Sequence, residues 1–199
     1  MIDLALGARD NLKESSPMST LATALTTWEE FLDLPNPEDG SRYELHDGEV
    51  VVVPPPRHPH VRIQNRLLRW FITHAAGAGL ADKEFPYRPV ANLQHWVADV
   101  AYIPIDDWRT IGIEQYPIYA PPLIVKVLSP SNRPEKIVRQ RLAAFSGGTR
   151  EFWVIDAAAR TIEVSVPGTT SRVYAETESL PVGVLPGILL SVHLVFEEE

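Results

Sequence analysis

A strand, a helix and a second strand in the later part of the chain constrain the fold most strongly. Residues 123–128 form an almost continuous apolar run, which is typical of a strand covered on both faces. Pro134 suits the first turn of a following helix, and the Gly147-Gly148 pair marks its end. Residues 150–156 form the next strand. Because a helix that links two strands of one sheet makes a right-handed crossover, this order predicts a parallel strand pair and an α/β fold.

A β-hairpin is predicted nearer the start of the chain. Asp47-Gly48 lies between two β-prone runs over residues 43–53, which is the strongest short-range hairpin signal. Three prolines from Pro54 end the hairpin, because proline cannot donate to a strand ladder. Thr27 and Glu30 have the spacing of a capping box and predict a short helix before it.

Further periodic segments complete the predicted sheet and the helices that pack on it. Residues 60–75 carry apolar side chains at four-residue steps and predict a helix. Extended segments are expected over residues 88–93 and 97–103, and an antiparallel extension over residues 161–166 and 172–175. The sequence therefore predicts a mixed β-sheet that is flanked by the His60 helix and the Pro134 helix and carries an N-terminal β-hairpin.

Length and composition place the chain among single-domain globular proteins. It has 199 residues and no cysteine, which excludes a disulfide framework, a sulfur-ligated zinc finger and a cysteine nucleophile. No apolar run approaches the roughly 18 residues needed to span a bilayer, so we expect a cytoplasmic protein without membrane partners. Residues 1–26 lack periodicity and are expected to form a flexible tail in which Met18 is an alternative start. Residues 27–199 then form the domain.

The charge distribution leaves nucleic-acid binding open. The formal net charge is −8, which by itself argues against a polyanionic partner. However, residues 57–75 hold four arginines and no acid, and residues 121–150 hold six basic residues against one acidic residue. Such segments indicate either a DNA-facing surface or an ordinary solvated charged face.

Asp99 and Lys126 stand out because each lies inside an otherwise apolar strand. Burying a charge is costly unless the charge is paired or binds a metal. If the two strands are neighbours, the carboxylate and the ammonium can face one another. The pair then indicates either a functional site or a buried ion pair without catalytic role.

Several ordered motifs between residues 27 and 196 resemble the restriction-endonuclease-like PD-(D/E)XK superfamily, in the bacterial endonuclease branch that is classed as a domain of unknown function. The motifs are Tyr43-Glu44-Leu45-His46-Asp47-Gly48-Glu49, His60 before an Arg-Leu helix, Val97-Ala98-Asp99-Val100, Val125-Lys126-Val127-Leu128-Ser129-Pro130-Ser131, Arg150-Glu151-Phe152-Trp153-Val154-Ile155-Asp156 and Leu185-Pro186-Gly187.

The resemblance implies a Mg²⁺-dependent endonuclease that hydrolyses a phosphodiester in DNA. In such proteins an aspartate and a glutamate hold the metal and a lysine positions or activates water. Asp99 matches the aspartate and is the metal ligand if a metal is retained. Lys126 stands at the glutamate position and Gln140 at the usual lysine position, so the resemblance implies an altered catalytic set.

The altered set has more than one interpretation. The Lys126 ammonium replaces the metal and neutralises Asp99, in which case activity is lost and no metal binds. Alternatively, Lys126 is deprotonated or turns away while Glu44, Glu49 or Glu84 supplies the missing oxygen. As a further alternative, Lys126 takes over the lysine role, with Asp99 as the single inner carboxylate.

Other side chains receive roles from the resemblance. His60 is a candidate contact to phosphate or to a carboxylate, or simply caps its helix. Glu44 is a candidate member of an acidic cleft or a partner of Arg42. Five basic side chains are candidates for the DNA backbone, with salt bridges to the acidic N-terminal region as the alternative: Arg62, Arg66, Arg69, Lys136 and Arg139.

Three functional hypotheses follow. The chain is an endonuclease with a degraded active site, an inactive nuclease-fold module that binds DNA or a protein, or a homo-oligomeric scaffold. We also expect a homodimer.

Overall fold

The computed structural model describes residues 25–111, 116–129 and 133–197. The tail predicted over residues 1–26 lies outside the described residues except for its last two positions. Residues 130–132, between the predicted strand over residues 123–128 and the predicted Pro134 helix, also lie outside them. In the described residues the helices are α1 (Trp28–Leu32), α2 (His58–Ala75), α3 (Ile105–Thr110), α4 (Pro134–Ser146) and α5 (His193–Phe196). The strands are β1 (Arg42–His46), β2 (Glu49–Val53), β3 (Gly79–Tyr87), β4 (Gln94–Pro104), β5 (Leu123–Val127), β6 (Glu151–Asp156), β7 (Thr161–Ser165), β8 (Arg172–Ala175), β9 (Ser179–Pro181) and β10 (Leu189–Ser191).

Eight of these strands form one mixed sheet. Its order is β2-β1-β4-β5-β6-β7-β8, and β3 pairs with β4. β5 and β6 are parallel and are linked through α4, whereas the other pairs in this sheet are antiparallel. The predicted parallel pair and the mixed α/β sheet are therefore confirmed.

Each face of the sheet buries its own apolar layer. On the α2 side, Leu67 and Phe71 pack with Tyr102 and Trp153. On the α4 side, a smaller set that includes Ala144 packs against neighbouring strands. Side chains of β5 alternate between the layers, so the apolar run that predicted a doubly covered strand is explained by helices on both faces.

The hairpin has the turn that its sequence predicts. Asp47 and Gly48 both adopt positive φ, at 53° and 84°, as a two-residue type I′ connection requires. Five residue pairs then join β1 to β2, from His46 opposite Glu49 to Arg42 opposite Val53. β2 ends at Val53, directly before the prolines.

The prediction of one extended segment was wrong, and one strand was not predicted. Residues 88–93 form bends, and Arg88 makes only isolated bridges to Ile118 and Tyr119. The strand lies earlier, at β3, where Asp82, Lys83 and Glu84 interrupt the apolar pattern. Within the described ranges β3 pairs with β4 alone, and charged residues are common on an edge strand of this kind.

Smaller differences concern element ends and short elements. α2 begins at His58, two residues before the expected start, and β4 begins at Gln94, three residues early. α3, α5, β9 and β10 were not predicted. None of the helices in the described ranges is long and apolar enough to cross a membrane.

Candidate active site

A cleft of about 1030 Å³ opens between the β1–β2 hairpin, the start of α2 and the first turns of α4. Asp99 of β4 and Lys126 of β5 contribute to its wall. The structure brings all five candidate catalytic residues to this cleft: Glu44, His60, Asp99, Lys126 and Gln140.

Asp99 and Lys126 form a buried ion pair at the centre of the site. Their facing positions follow from strand register, since Val100 pairs with Val125 and the next position along places Asp99 opposite Lys126. The Lys126 Nζ donates to Asp99 Oδ1 at 3.0 Å, and both side chains are at least nine-tenths buried. The predicted contact between the two charges is confirmed.

The second carboxylate oxygen of Asp99 is also engaged. The backbone N–H of Val127 donates to Asp99 Oδ2 at 2.6 Å. His60 Nε2 lies 3.4 Å from Oδ1. Burial raises the pKa of Asp99, but Lys126, His60 and the Val127 N–H outweigh burial and lower it to about 2.

The neighbouring carboxylates keep the Lys126 side chain in its charged form. Burial acts to lower the pKa of Lys126, but the carboxylates of Asp99 and Glu44 outweigh burial and raise it. Lys126 is therefore an ammonium at neutral pH. A neutral lysine that leaves Asp99 free for a metal is not the state that this environment favours.

Glu84 faces the site from β3 in an unusual backbone conformation. Its φ is 53°, which is rare for a residue other than glycine and marks a local constraint. Arg42 and Gln64 both donate to its carboxylate. Gln64 also donates to the backbone carbonyl of Asp99 at 3.2 Å, so one amide connects the two acidic positions.

Glu44 belongs to the cleft and also pairs with Arg42, so the two expected roles coexist. Glu44 Oε1 accepts from Arg42 Nε at 3.3 Å, and Glu44 Oε2 lies 2.7 Å from His46 Nε2. Burial raises the pKa of Glu44, but the contacts with His46, Lys126 and Arg42 outweigh burial and lower it. His46 stacks on Trp96 with 3.6 Å between ring centroids, which fixes the orientation of its imidazole.

Two of the three candidate residues of α4 line the cleft, and they differ in environment. Gln140 is buried and donates to Tyr87 Oη and to the Val97 carbonyl, each at 3.4 Å, so it supports the wall of the cleft. Lys136 lies one turn earlier on the same helix face and lines the cleft while half-buried. Burial lowers its pKa, against the attraction of Glu44 and Glu49.

The remaining basic candidates do not line the cleft. Arg139 lies outside it, with Nη1 3.9 Å from Asp47 Oδ2. Arg66 and Arg69 line a separate hollow of about 360 Å³ beside α5, where Arg66 Nη1 donates to the Val195 carbonyl at 3.4 Å. Arg62 is exposed on the outer face of α2. A DNA role for these side chains stays a prediction.

The residues do not fit the Mg²⁺ site that the resemblance implies. Mg²⁺ requires hard oxygen ligands that are free to bind it. Within the described part of the chain, one cluster brings ligand atoms together, and its atoms from His60, Glu84 and Asp99 lie within 4.8 Å of one another. Both Asp99 oxygens already accept hydrogen bonds, and Arg42 and Gln64 bind Glu84.

Sequence reasoning missed Gln64 and His46 as parts of the site. Gln64 lies one turn after His60, on the same α2 face as Leu67, where a polar residue interrupts an apolar face. That interruption was a usable signal. His46 had none, because its partner Trp96 lies on a strand whose register the sequence does not specify.

Comparisons with known proteins agree with this fold. The Uma2 family, described as "Putative restriction endonuclease", matches residues 28–193. A crystal structure of "a putative nuclease belonging to DUF820" from Anabaena variabilis ATCC 29413 is similar over 84% of this chain and 96% of that chain, with a TM-score of 0.73. The two sequences are 23% identical, a level at which the likeness shows the fold alone.

No curated protein matches the chain. The family match nevertheless covers most of the sequence and all five candidate catalytic residues. The resemblance to restriction endonucleases is thereby confirmed. The chain belongs to the Uma2 family of putative restriction endonucleases.

Proposed function

We propose that this chain is a nuclease-family protein that binds DNA in its cleft but has lost Mg²⁺-dependent cleavage. The observation that carries the proposal is the 3.0 Å contact between Lys126 Nζ and Asp99 Oδ1 in the cleft wall. An ammonium at this point takes the position that a divalent cation would need beside Asp99. It also neutralises the carboxylate that matches the family aspartate.

Electrostatics support the loss of the metal. Two unit charges about 4 Å apart interact by about 4 kcal/mol at an effective dielectric of 20, so Lys126 would disfavour a divalent cation at that distance by about 8 kcal/mol. Of the three carboxylates considered as replacements, Glu44 and Glu84 are both bound by Arg42, and Glu49 does not line the cleft.

The cleft retains features that suit a phosphate backbone. Lys136 lines it, and Arg57 lies exposed at its rim beside the prolines. Cations at such positions attract phosphate without reading base sequence. DNA binding that depends strongly on salt is therefore expected.

A plasmid assay tests both halves of the proposal. The protein is incubated with supercoiled plasmid and Mg²⁺ or Mn²⁺, and binding to a labelled duplex is measured by fluorescence anisotropy at several salt concentrations. We expect binding that weakens steeply with salt, and neither nicking nor linearisation. Cleavage that Asp99→Ala abolishes would overturn the loss of activity, and absence of binding at low salt would overturn the DNA-binding role.

Reversal of the two replacements provides a sharper test. Lys126→Glu restores an oxygen ligand beside Asp99, and Gln140→Lys adds a cation to the same cleft wall. We expect Mg²⁺-dependent nicking in the double variant and none in either single variant. Folding of all three is checked by circular dichroism, and a folded double variant without nicking contradicts the assignment of these positions.

A second candidate function is favoured by the closeness of His60, Glu84 and Asp99. An imidazole nitrogen beside two carboxylates suits a divalent transition metal better than Mg²⁺, so a relocated metal site is the specific alternative, with Mn²⁺ as the probe. Titration with Mn²⁺ by calorimetry distinguishes it. Binding that Glu84→Gln removes would support the relocated site, whereas no binding by the unmodified chain supports replacement of the metal by Lys126.

A further inference from the structure

The cleft is too small to enclose a DNA duplex. Its volume of about 1030 Å³ is that of a cube with an edge of about 10 Å, whereas the major groove of a duplex is by itself about 12 Å wide. The volume lies instead near the upper end of the range for sites that enclose a small molecule, roughly 300–1,000 Å³. An intact duplex therefore fits against the mouth of the cleft rather than inside it.

The floor and the mouth of the cleft carry different charges. The Asp99–Lys126 pair lies at the floor, where the two residues are 1% and 8% exposed, and its charges neutralise each other. Arg57 is exposed at the rim, and Lys136 is half-buried on α4. These two outer cations suit phosphate. A DNA strand that they hold at the mouth can extend its bases into the cleft.

One wall of the cleft is apolar. Residues 52–56 and Pro59 form this apolar wall from two valines and four prolines. A duplex keeps its bases stacked and presents phosphate and sugar outward, so it offers the wall little apolar surface. An unpaired base exposes its flat faces, and burial of these faces against apolar side chains is favourable. Proline side chains lose almost no conformational freedom when they are buried, so entropy does not offset this gain.

Outer cations beside an apolar wall are the combination that binds single-stranded nucleic acid. Sites for single strands join a positive groove for the backbone to surfaces on which bases stack. We infer that the cleft takes an unpaired segment of DNA, a step that rests on the DNA binding proposed above. The phosphates lie at Arg57 and Lys136, and the bases lie against the apolar wall. An intact duplex contacts the mouth alone and binds more weakly.

Fluorescence anisotropy compares a thymidine oligonucleotide of about 16 nucleotides with the same strand annealed to its complement. Thymidine strands do not pair with themselves, so the first probe stays single-stranded. We expect the single strand to bind at least about tenfold more tightly than the duplex at equal salt, since stacking of one base contributes about that much.

The outer cations would by themselves give the opposite preference. Each phosphate contact contributes a salt slope of about 0.9 on duplex DNA and about 0.7 on a single strand, so counterion release favours the duplex. Tighter binding of the single strand must therefore come from its bases.

An abasic strand of the same length isolates the contribution of the bases. It keeps every phosphate and lacks the bases, so it should bind at least about tenfold more weakly than the thymidine strand. Equal binding of the two strands would overturn base contact with the apolar wall.

A matched pair of substitutions assigns the contact to the apolar wall. Val52 and Val173 are 59% and 57% exposed, and they lie on the two end strands of the large sheet. Val52→Ala should lower the ratio of single-strand to duplex affinity at least about fourfold, the effect of one methylene group lost from an apolar contact. Val173→Ala should leave the ratio unchanged. Circular dichroism checks that both variants fold, and equal effects of the two would contradict the site.

The outcomes separate an unpaired segment from DNA binding as such. A duplex that binds as tightly as the single strand, or more tightly, overturns the unpaired segment and leaves the proposed DNA binding in place. If neither form binds at low salt, DNA binding itself fails, and the unpaired segment fails with it.

Discussion

At the scale of single residues, the centre of the cleft is a charge pair whose members depend on each other. A buried ion pair contributes little compared with an apolar pair of similar size, but loss of one member leaves an uncompensated buried charge. Asp99 is 1% exposed and Lys126 is 8% exposed, so solvent does not replace the missing partner. The pair therefore couples the stability of the sheet to the chemistry of the site.

Lys126→Met should lower the free energy of unfolding by about 3–5 kcal/mol at neutral pH, because Asp99 loses its ammonium. Urea unfolding followed by tryptophan fluorescence measures the change. The matched control is the double variant Asp99→Asn, Lys126→Met, which should recover most of the loss. A single variant as stable as the unmodified chain would show that the pair has no energetic role.

The titration of His95 makes the stability of the folded protein depend on pH. It is 7% exposed and packs against Trp28, Phe31 and Tyr116. Burial lowers the pKa of His95 to about 4, from an ordinary value of 6.5, so the unfolded chain binds a proton between these values that the folded chain does not. The stabilising contribution is complete above pH 6.5 and is lost as the pH falls toward 4.

His95→Phe should therefore retain more stability than the unmodified chain at acid pH, by up to about 3 kcal/mol near pH 4. Unfolding free energies of both proteins are measured from pH 7 to pH 4. Subtraction of the two curves removes the contribution of His46, which both proteins share. Parallel curves would be inconsistent with a buried neutral His95.

At the scale of elements, the hairpin shows how a turn positions a site. The positive φ of Asp47 and Gly48 fixes the register that brings Glu44 and His46 into the cleft. Leu25 packs against Gly48, and Thr26 N–H donates to the Gly48 carbonyl at 2.9 Å. The Gly48 N–H in turn donates to the Leu93 carbonyl at 2.9 Å, so two other segments of the chain hold the turn.

Gly48→Ala should destabilise the protein by more than Gly40→Ala. Both glycines have positive φ, where an L-residue costs about 1–2 kcal/mol. A Cβ at Gly48 would lie 2.7 Å from the Leu25 Cβ, whereas a Cβ at Gly40 meets nothing within 4 Å. Chemical denaturation of the two variants measures the difference, and equal losses would exclude a contribution from the Leu25 contact.

Local signals predicted the elements with strong turn, capping or periodic patterns. Asp47-Gly48, Thr27 with Glu30, and Pro134 all identified real elements. β3 was not predicted because its charged residues break the strand pattern, and the reason they are accommodated is the position of β3 beside β4. The contact between Gln64 and Glu84 was not predicted. It depends on the packing of α2 against β3 and on the unusual φ of Glu84, and no local sequence pattern indicates either.

At the scale of the whole molecule, the basic residues that are candidates for DNA contact do not share one surface. Lys136 lines the cleft, whereas Arg69 lies at the hollow beside α5. If DNA occupies the cleft, these surfaces contribute differently to phosphate contacts. The salt dependence of binding separates them.

Lys136→Ala should reduce the slope of log K against log salt concentration by about 0.9, the value for one lost phosphate contact on duplex DNA. Arg69→Ala is the matched control and should leave the slope unchanged. Anisotropy titrations at four or more salt concentrations give the slopes. The opposite result would place DNA on the α2–α5 face.

The central strand also has a consequence for biosynthesis. β4 pairs with β1 and β3, which precede it, and with β5, which follows it. Lys126 is translated 27 residues after Asp99, an interval of about 1–5 s on a ribosome that adds about 5–20 residues per second. Throughout that interval Asp99 lacks its counter-charge, and because a buried unpaired charge is strongly destabilising, we expect the carboxylate to be buried only after Lys126 has been added.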